Sequence, residues 1–133
     1  MSIGLVLDTS ALLAHVRLER ISAGELIGEV ADNGDVTGVP ALAVLDALPE
    51  LKGEDRARLA RLLHGDSLTV AVLPLLADHL LEVERVAALI TGGNGVAQAI
   101  VAANNHGIML ATVNPRDLGI GIAIHTDDVC ELS

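Results

Sequence analysis

Phenylalanine, tyrosine and tryptophan are all absent from this chain of 133 residues. The interior must therefore be built from leucine, valine, isoleucine and alanine. Leucine fills helices and valine and isoleucine fill strands, so a mixed α/β core is within reach of this alphabet. The same absence limits function. Proteins that hold single-stranded nucleic acid usually stack bases on aromatic rings, and none is on offer. Any RNA contact would run through arginine, backbone amides or a metal ion. Cysteine is also scarce: Cys130 is the single example, so no internal disulfide forms and nothing suggests an oxidising compartment. Basic residues number 8 against 18 acidic ones, for a net charge of −10, and the broad basic footprint of a nucleic-acid binder is missing. Solubility and function are both open as reasons for the acidity. The start Met1-Ser2-Ile3-Gly4 has no basic cluster and no long apolar run before Asp8, unlike a signal peptide. No stretch is long and uncharged enough to cross a bilayer. These absences point to a cytoplasmic protein.

What is plentiful is aliphatic surface. Hydrophobic residues make up 51% of the chain and the mean hydropathy is +0.54. That suffices for the core of one domain over residues 1–133. Such hydropathy without a membrane segment implies a covered partner face, either a homodimer or another protein.

Patterning divides the chain into alternating strands and helices. Ile3 to Leu7 is apolar without alternation, as suits a central parallel strand buried on both faces. Thr9 or Ser10 can cap a helix from about Ala11 to Arg20. Ser22 and Glu25 have capping-box spacing before Leu26, Ile27 and Val30, with a stop near Asn33-Gly34. Val36 to Val39 reads as a strand, with Pro40 as the first residue of a short helix running to Leu48. Glu54 and Asp55 open a helix to Leu63, ended by Gly65. Leu68 to Leu73 is strand-like, and Leu75 to Ile90 is the longest helical pattern, closed by Gly92-Gly93. A helix over about Gly95 to Asn105, a strand at Ile108 to Ala111, a turn at Asn114 to Asp117 and a short strand at Ile122 to Ile124 complete the order. This order predicts an α/β fold with a mainly parallel sheet covered by helices on both faces.

Sites in open α/β sheets form outside the carboxyl ends of the strands. Asp8, Asp46 and Asp117 fall at or near such ends. Converging carboxylates repel one another unless a cation lies between them, and oxygen ligands select hard ions such as Mg²⁺ or Mn²⁺. Such an ion could activate water toward a phosphodiester. The alternative is that Asp8 and Asp117 are cap or turn acids and Asp46 a solvated helix acid. Lys52, Arg56, Arg58 and Arg61 gather half of the eight basic residues on one helix, either as a phosphate-contact strip or as surface charge paired with Glu54 and Asp55. Arg116 could steady a phosphate or simply pair with Asp117. His15, His64, His79, His106 and His125 lack zinc-site spacing and read as surface or packing residues.

Three segments carry a family resemblance. Val6-Leu7-Asp8-Thr9-Ser10-Ala11-Leu12-Leu13, Val39-Pro40-Ala41-Leu42-Ala43-Val44-Leu45-Asp46-Ala47-Leu48, and His106 to Asp117 with its Ala111-Thr112-Val113-Asn114 core resemble, in order, the opening, second and closing segments of PIN domains. Leu73-Pro74-Leu75 is similar to the strand-to-helix step of that family. The resemblance spans nearly the whole chain. It implies a PIN-like three-layer α/β/α sandwich and an acidic cluster binding Mg²⁺ or Mn²⁺. It also implies a ribonuclease of the VapC-like toxin type, held by an antitoxin protein. Carried over, Asp8 is the first metal acid and Ser10 the hydroxyl beside it. Asp46 stands where the family usually has glutamate, Thr112 is the hydroxyl after the fourth strand, and Asp117 is the last acid. Asn94, Asn114 and Arg116 become candidate substrate contacts. The third family acid falls on Val96, which cannot ligate a metal. A second expectation therefore stands beside the ribonuclease: a catalytically inactive PIN-like module that binds a protein or dimerises.

Overall fold

Alternate residues of Ile3–Leu7 (β1) feed two separate cores. Leu5 and Leu7 pack on one face of the sheet and Val6 on the other, all three buried. A strand apolar on both sides belongs in the middle of a covered sheet, and β1 lies there. The computed structural model describes residues 2–64 and 69–133. Its five strands are β1, Val36–Pro40 (β2), Val70–Leu73 (β3), Met109–Thr112 (β4) and Val129–Glu131 (β5). They form one sheet in the order β3-β2-β1-β4-β5, parallel at every pairing. The chain thus builds outward from β1 to one edge, then returns to the far side of β1 with β4. That reversal creates a crevice at the carboxyl ends of β1 and β4.

Six α-helices cover the sheet: Thr9–Val16 (α1), Ile21–Asp32 (α2), Ala41–Ala47 (α3), Gly53–His64 (α4), Leu80–Ala87 (α5) and Gly93–His106 (α6). Leu12 and Leu13 of α1, Ile27 of α2 and Leu59 of α4 join Leu5 and Leu7 in the first core. Val83 and Val86 of α5 and Val96, Ile100 and Val101 of α6 join Val6 and Leu110 in the second. Ala47 of α3 packs into the first core and Leu42 against the second, so this short helix straddles the two. The fold is the expected α/β/α sandwich, with a sheet that is wholly rather than mainly parallel.

Several local expectations are corrected. Asp8, not Thr9 or Ser10, caps α1, and the helix stops at Val16 because Leu18 takes φ 60°, outside the helical region. The Ser22–Glu25 box is unused: α2 begins at Ile21 with no side-chain cap, and the Ser22 hydroxyl donates to the Ser133 carbonyl instead. Pro40 ends β2 rather than opening α3. The long helix read over 75–90 shrinks to a 3-10 turn, Ala77–His79, and α5, because Leu76 is extended. The longest helix is α6, closed by Gly107 in the left-handed region at φ 64°. No strand forms at 122–124. An isolated bridge joins Ile120 to Ile124, and the edge strand is β5. The expected helix stop at Gly65 and strand start at Leu68 lie outside the described residues.

Candidate functional site

Asp8 leaves β1 immediately after Leu7, at the carboxyl end of the central strand. Its position follows from helix capping. The backbone at Asp8 is extended, and its Oδ1 accepts the N–H of Ala11 at 2.9 Å, one of the amides a helix start leaves without a carbonyl. The Ser10 hydroxyl donates to the same Oδ1 at 2.7 Å. A serine has one O–H, so its oxygen must receive everything else: the Val113 N–H at 3.0 Å and the Thr112 hydroxyl at 3.2 Å. Thr112 in turn accepts the Asn114 N–H at 3.1 Å. A directional chain therefore runs from the loop after β4, through Thr112 and Ser10, into Asp8. It fastens the carboxyl ends of the two central strands together.

Asp8 is almost wholly buried, at 1% exposure, and its Oδ2 has no hydrogen-bond partner among the described residues. Burial pushes its carboxyl pKa up, with Thr112, Ala11 and Ser10 opposing the rise and not cancelling it.

The other expected acids have hydrogen-bond partners of their own. Asp46, on the exposed side of α3, accepts the Gly95 N–H at 2.9 Å through Oδ2. Helix α6 has no side-chain cap of its own at Gly92, so Asp46 supplies one from the neighbouring helix. Asp117, half-buried in a 3-10 turn over Pro115–Leu118, accepts the Thr91 hydroxyl at 3.1 Å. No ion pair joins it to Arg116 among the described residues. Asn94, Asn114 and Arg116 are exposed. Val96 is 3% exposed and belongs to the second core.

The residue types at the crevice decide what it can hold. Among the described residues no three of His, Cys, Asp or Glu come together as ligands for an ion. Asp8 keeps Oδ2 without a partner among the described residues, Asp46 accepts an amide through Oδ2, Asp117 accepts a hydroxyl through Oδ1, and Val96 offers no ligand atom. The set does not fit the three-acid Mg²⁺ or Mn²⁺ centre that the resemblance implies. Three of the four residues of the basic strip have partners. Arg56 donates to the Leu48 carbonyl, Arg58 to the Val16 carbonyl and to Asp55, and Arg61 to Glu54 at 2.6 Å.

Sequence reading missed Thr9 and Gly95. A Cβ on Gly95 would lie 2.4 Å from Thr9 Oγ1, 2.7 Å from the Ala43 Cα and 2.8 Å from Asp46 Oδ2. The starts of α1, α3 and α6 thus meet at one glycine. The run Gly92-Gly93-Asn94-Gly95 was the available signal, legible as a helix stop but not as a close approach.

A five-stranded parallel sheet in this order, covered on both faces and carrying Asp8 at its central carboxyl end, makes this a PIN-like fold. A solved relative in fold is a chain of the VapBC2 complex from Rickettsia felis, determined with a DNA fragment from its promoter. It matches with a TM-score of 0.70 at 12% identity, over 98% of this chain and 100% of that one. No protein-family model and no curated protein matches the sequence.

Proposed function

We propose that this chain is a PIN-like domain of toxin type that acts by binding a protein partner and does not cut RNA with a metal ion. The observation carrying this reading is the start of α6. Val96 is packed into the core where the resemblance expects an acid, and the neighbouring Gly95 amide takes up the carboxylate of Asp46. A buried valine neither binds an ion nor leaves a cavity for one. One neighbour in fold is VapBC2, solved bound to a DNA fragment from its promoter. That kinship supports a small antitoxin-like protein as the partner, with a homodimer as the alternative assembly. No helix of the described residues is long and apolar enough to cross a membrane.

A second reading keeps the Mg²⁺- or Mn²⁺-dependent ribonuclease. It is favoured by one feature, the buried Asp8 with its hydroxyl chain and a free Oδ2. Calorimetric titration of Mn²⁺ into the wild type and Asp8→Asn separates the two. The proposed function expects no saturable site up to about millimolar Mn²⁺, the range of weak divalent sites. Saturable binding that disappears in Asp8→Asn would overturn it and make an RNA substrate worth seeking.

A further inference from the structure

The segment from Leu76 to Glu84, linking β3 to α5 and forming most of that helix, places leucines in solvent. Leu76 and Leu80 are half-exposed and Leu81 is 80% exposed. Leu76 also lines an apolar groove of about 120 Å³, with Leu73, Leu75, Val83 and Val101. Helix α5 does not need these leucines for the core, since Val83 and Val86 already fill it. Asp78, Glu82 and Glu84 stand in the same segment, and none of them forms an ion pair among the described residues. Asp78 and Glu82 are four residues apart, a spacing at which like charges repel on a helical surface. Two of these acids favour the start of α5 electrostatically, but that does not explain the leucines beside them. Arg85 is the single cation on the helix.

Resting on the protein-binding reading above, we infer that the α5 face docks a basic amphipathic segment of the partner. Its apolar side would cover Leu76, Leu80 and Leu81, and its cations would meet Asp78, Glu82 and Glu84. Charge decides the occupant. A second copy of this chain would bring its own net charge of −10 against the same acids, whereas a lysine- or arginine-rich segment relieves them.

The test is fluorescence anisotropy on the full chain. The probe is a labelled helical peptide of leucine and arginine with its leucines four residues apart; a matched peptide carries glutamate for arginine. The arginine peptide is expected to bind saturably and the glutamate peptide not at all. Leu80→Ser with Leu81→Ser should weaken binding by about tenfold or more, as loss of apolar anchors does at interfaces. Asp78→Lys with Glu82→Lys, one exposed and one half-buried position outside the core, should weaken it comparably. Asp127→Lys with Asp128→Lys makes the same change in net charge elsewhere and should leave affinity unaltered. Equal loss in that control, or no saturable binding, overturns the inference. So does a homodimer seen by light scattering that Leu80→Ser with Leu81→Ser dissolves. Because the Mn²⁺ titration does not involve α5, failure of this inference and failure of the proposed function are read independently.

Discussion

The two walls of the crevice differ. On the wall formed by β1 and β4, polar groups are organised into a chain, Asn114 N–H to Thr112 to Ser10 to Asp8, with each donor matched to an acceptor. On the wall formed by α3 and α6, the Asp46 carboxylate joins two helices. Asp46 caps Gly95, and the Thr9 hydroxyl is buried without a partner beside it. The first wall keeps the residue types that the PIN resemblance implies, and the second departs from them. The comparison teaches that carboxylates at one end of a sheet can serve two structural ends, one fastening strands and the other capping a helix. The same carboxylate chemistry serves both ends, because an acid that can hold a cation can equally hold a backbone amide.

The largest expected effect breaks the closed wall. Gly95→Ala places a methyl within 2.8 Å of two neighbouring side-chain oxygens and the Ala43 backbone. Backbone cannot swing aside as a flexible side chain does, so the helices must move apart. A loss of about 3 kcal/mol is expected in urea unfolding, at the upper end of overpacking costs. A loss under about 0.5 kcal/mol, the level of an indifferent surface change, would mean that the walls do not differ in closeness.

Thr112→Val attacks the other wall and comes second. Thr112 is fully buried. Valine keeps the shape but strands the Asn114 N–H and removes the donor that Ser10 accepts. About 2 kcal/mol is expected from such unmade buried bonds. Third is Asp46. Asp46→Ala removes the cap of α6 and should cost about 1 kcal/mol, while Asp46→Asn retains an amide oxygen and should cost only a few tenths. If Asn costs as much as Ala, charge rather than capping is what Asp46 supplies, and the reading of that wall changes.

Much of the architecture was legible because it rests on burial. The continuous apolar run at Ile3–Leu7 and the strand–helix alternation predicted a parallel, doubly covered sheet, and the sheet is there. What failed rested on choices between near-equal local options. Ser22 could cap α2, but its hydroxyl finds the Ser133 carbonyl, a partner 111 residues away that no window reveals. The helical pattern at 75–90 continues through Leu75 and Leu76, yet Leu75 packs against the second core in the link before α5. In the site, Asp8, Ser10 and Thr112 were singled out and do meet. Asp46 and Asp117 were singled out as ligands, and their actual partners, an amide at Gly95 and a hydroxyl at Thr91, depend on helix placement that spacing does not encode.

The sharpest test of the polar wall is the pH dependence of Asp8→Asn. Burial raises the carboxyl pKa of Asp8 in the fold above its ordinary value. In an unfolded chain aspartate titrates near about 3.9. A raised folded value means that the native state holds its proton more tightly than the unfolded state. The stabilisation is complete below about pH 3.9 and is lost as the pH climbs through the folded value. Asparagine does not titrate. Whatever its fixed cost or gain, its stability relative to the wild type should therefore rise between about pH 4 and pH 7, by about 1.4 kcal/mol for each unit separating the two pKa values. Chemical denaturation at a series of pH values reads that slope free of the fixed term. A flat difference would mean that Asp8 titrates alike in both states. A slope of opposite sign would mean that the hydrogen bonds from Ser10 and Ala11 outweigh burial. Asp8 would then stand as a stabilised carboxylate at neutral pH, and the polar wall would be the better prepared of the two for a cation.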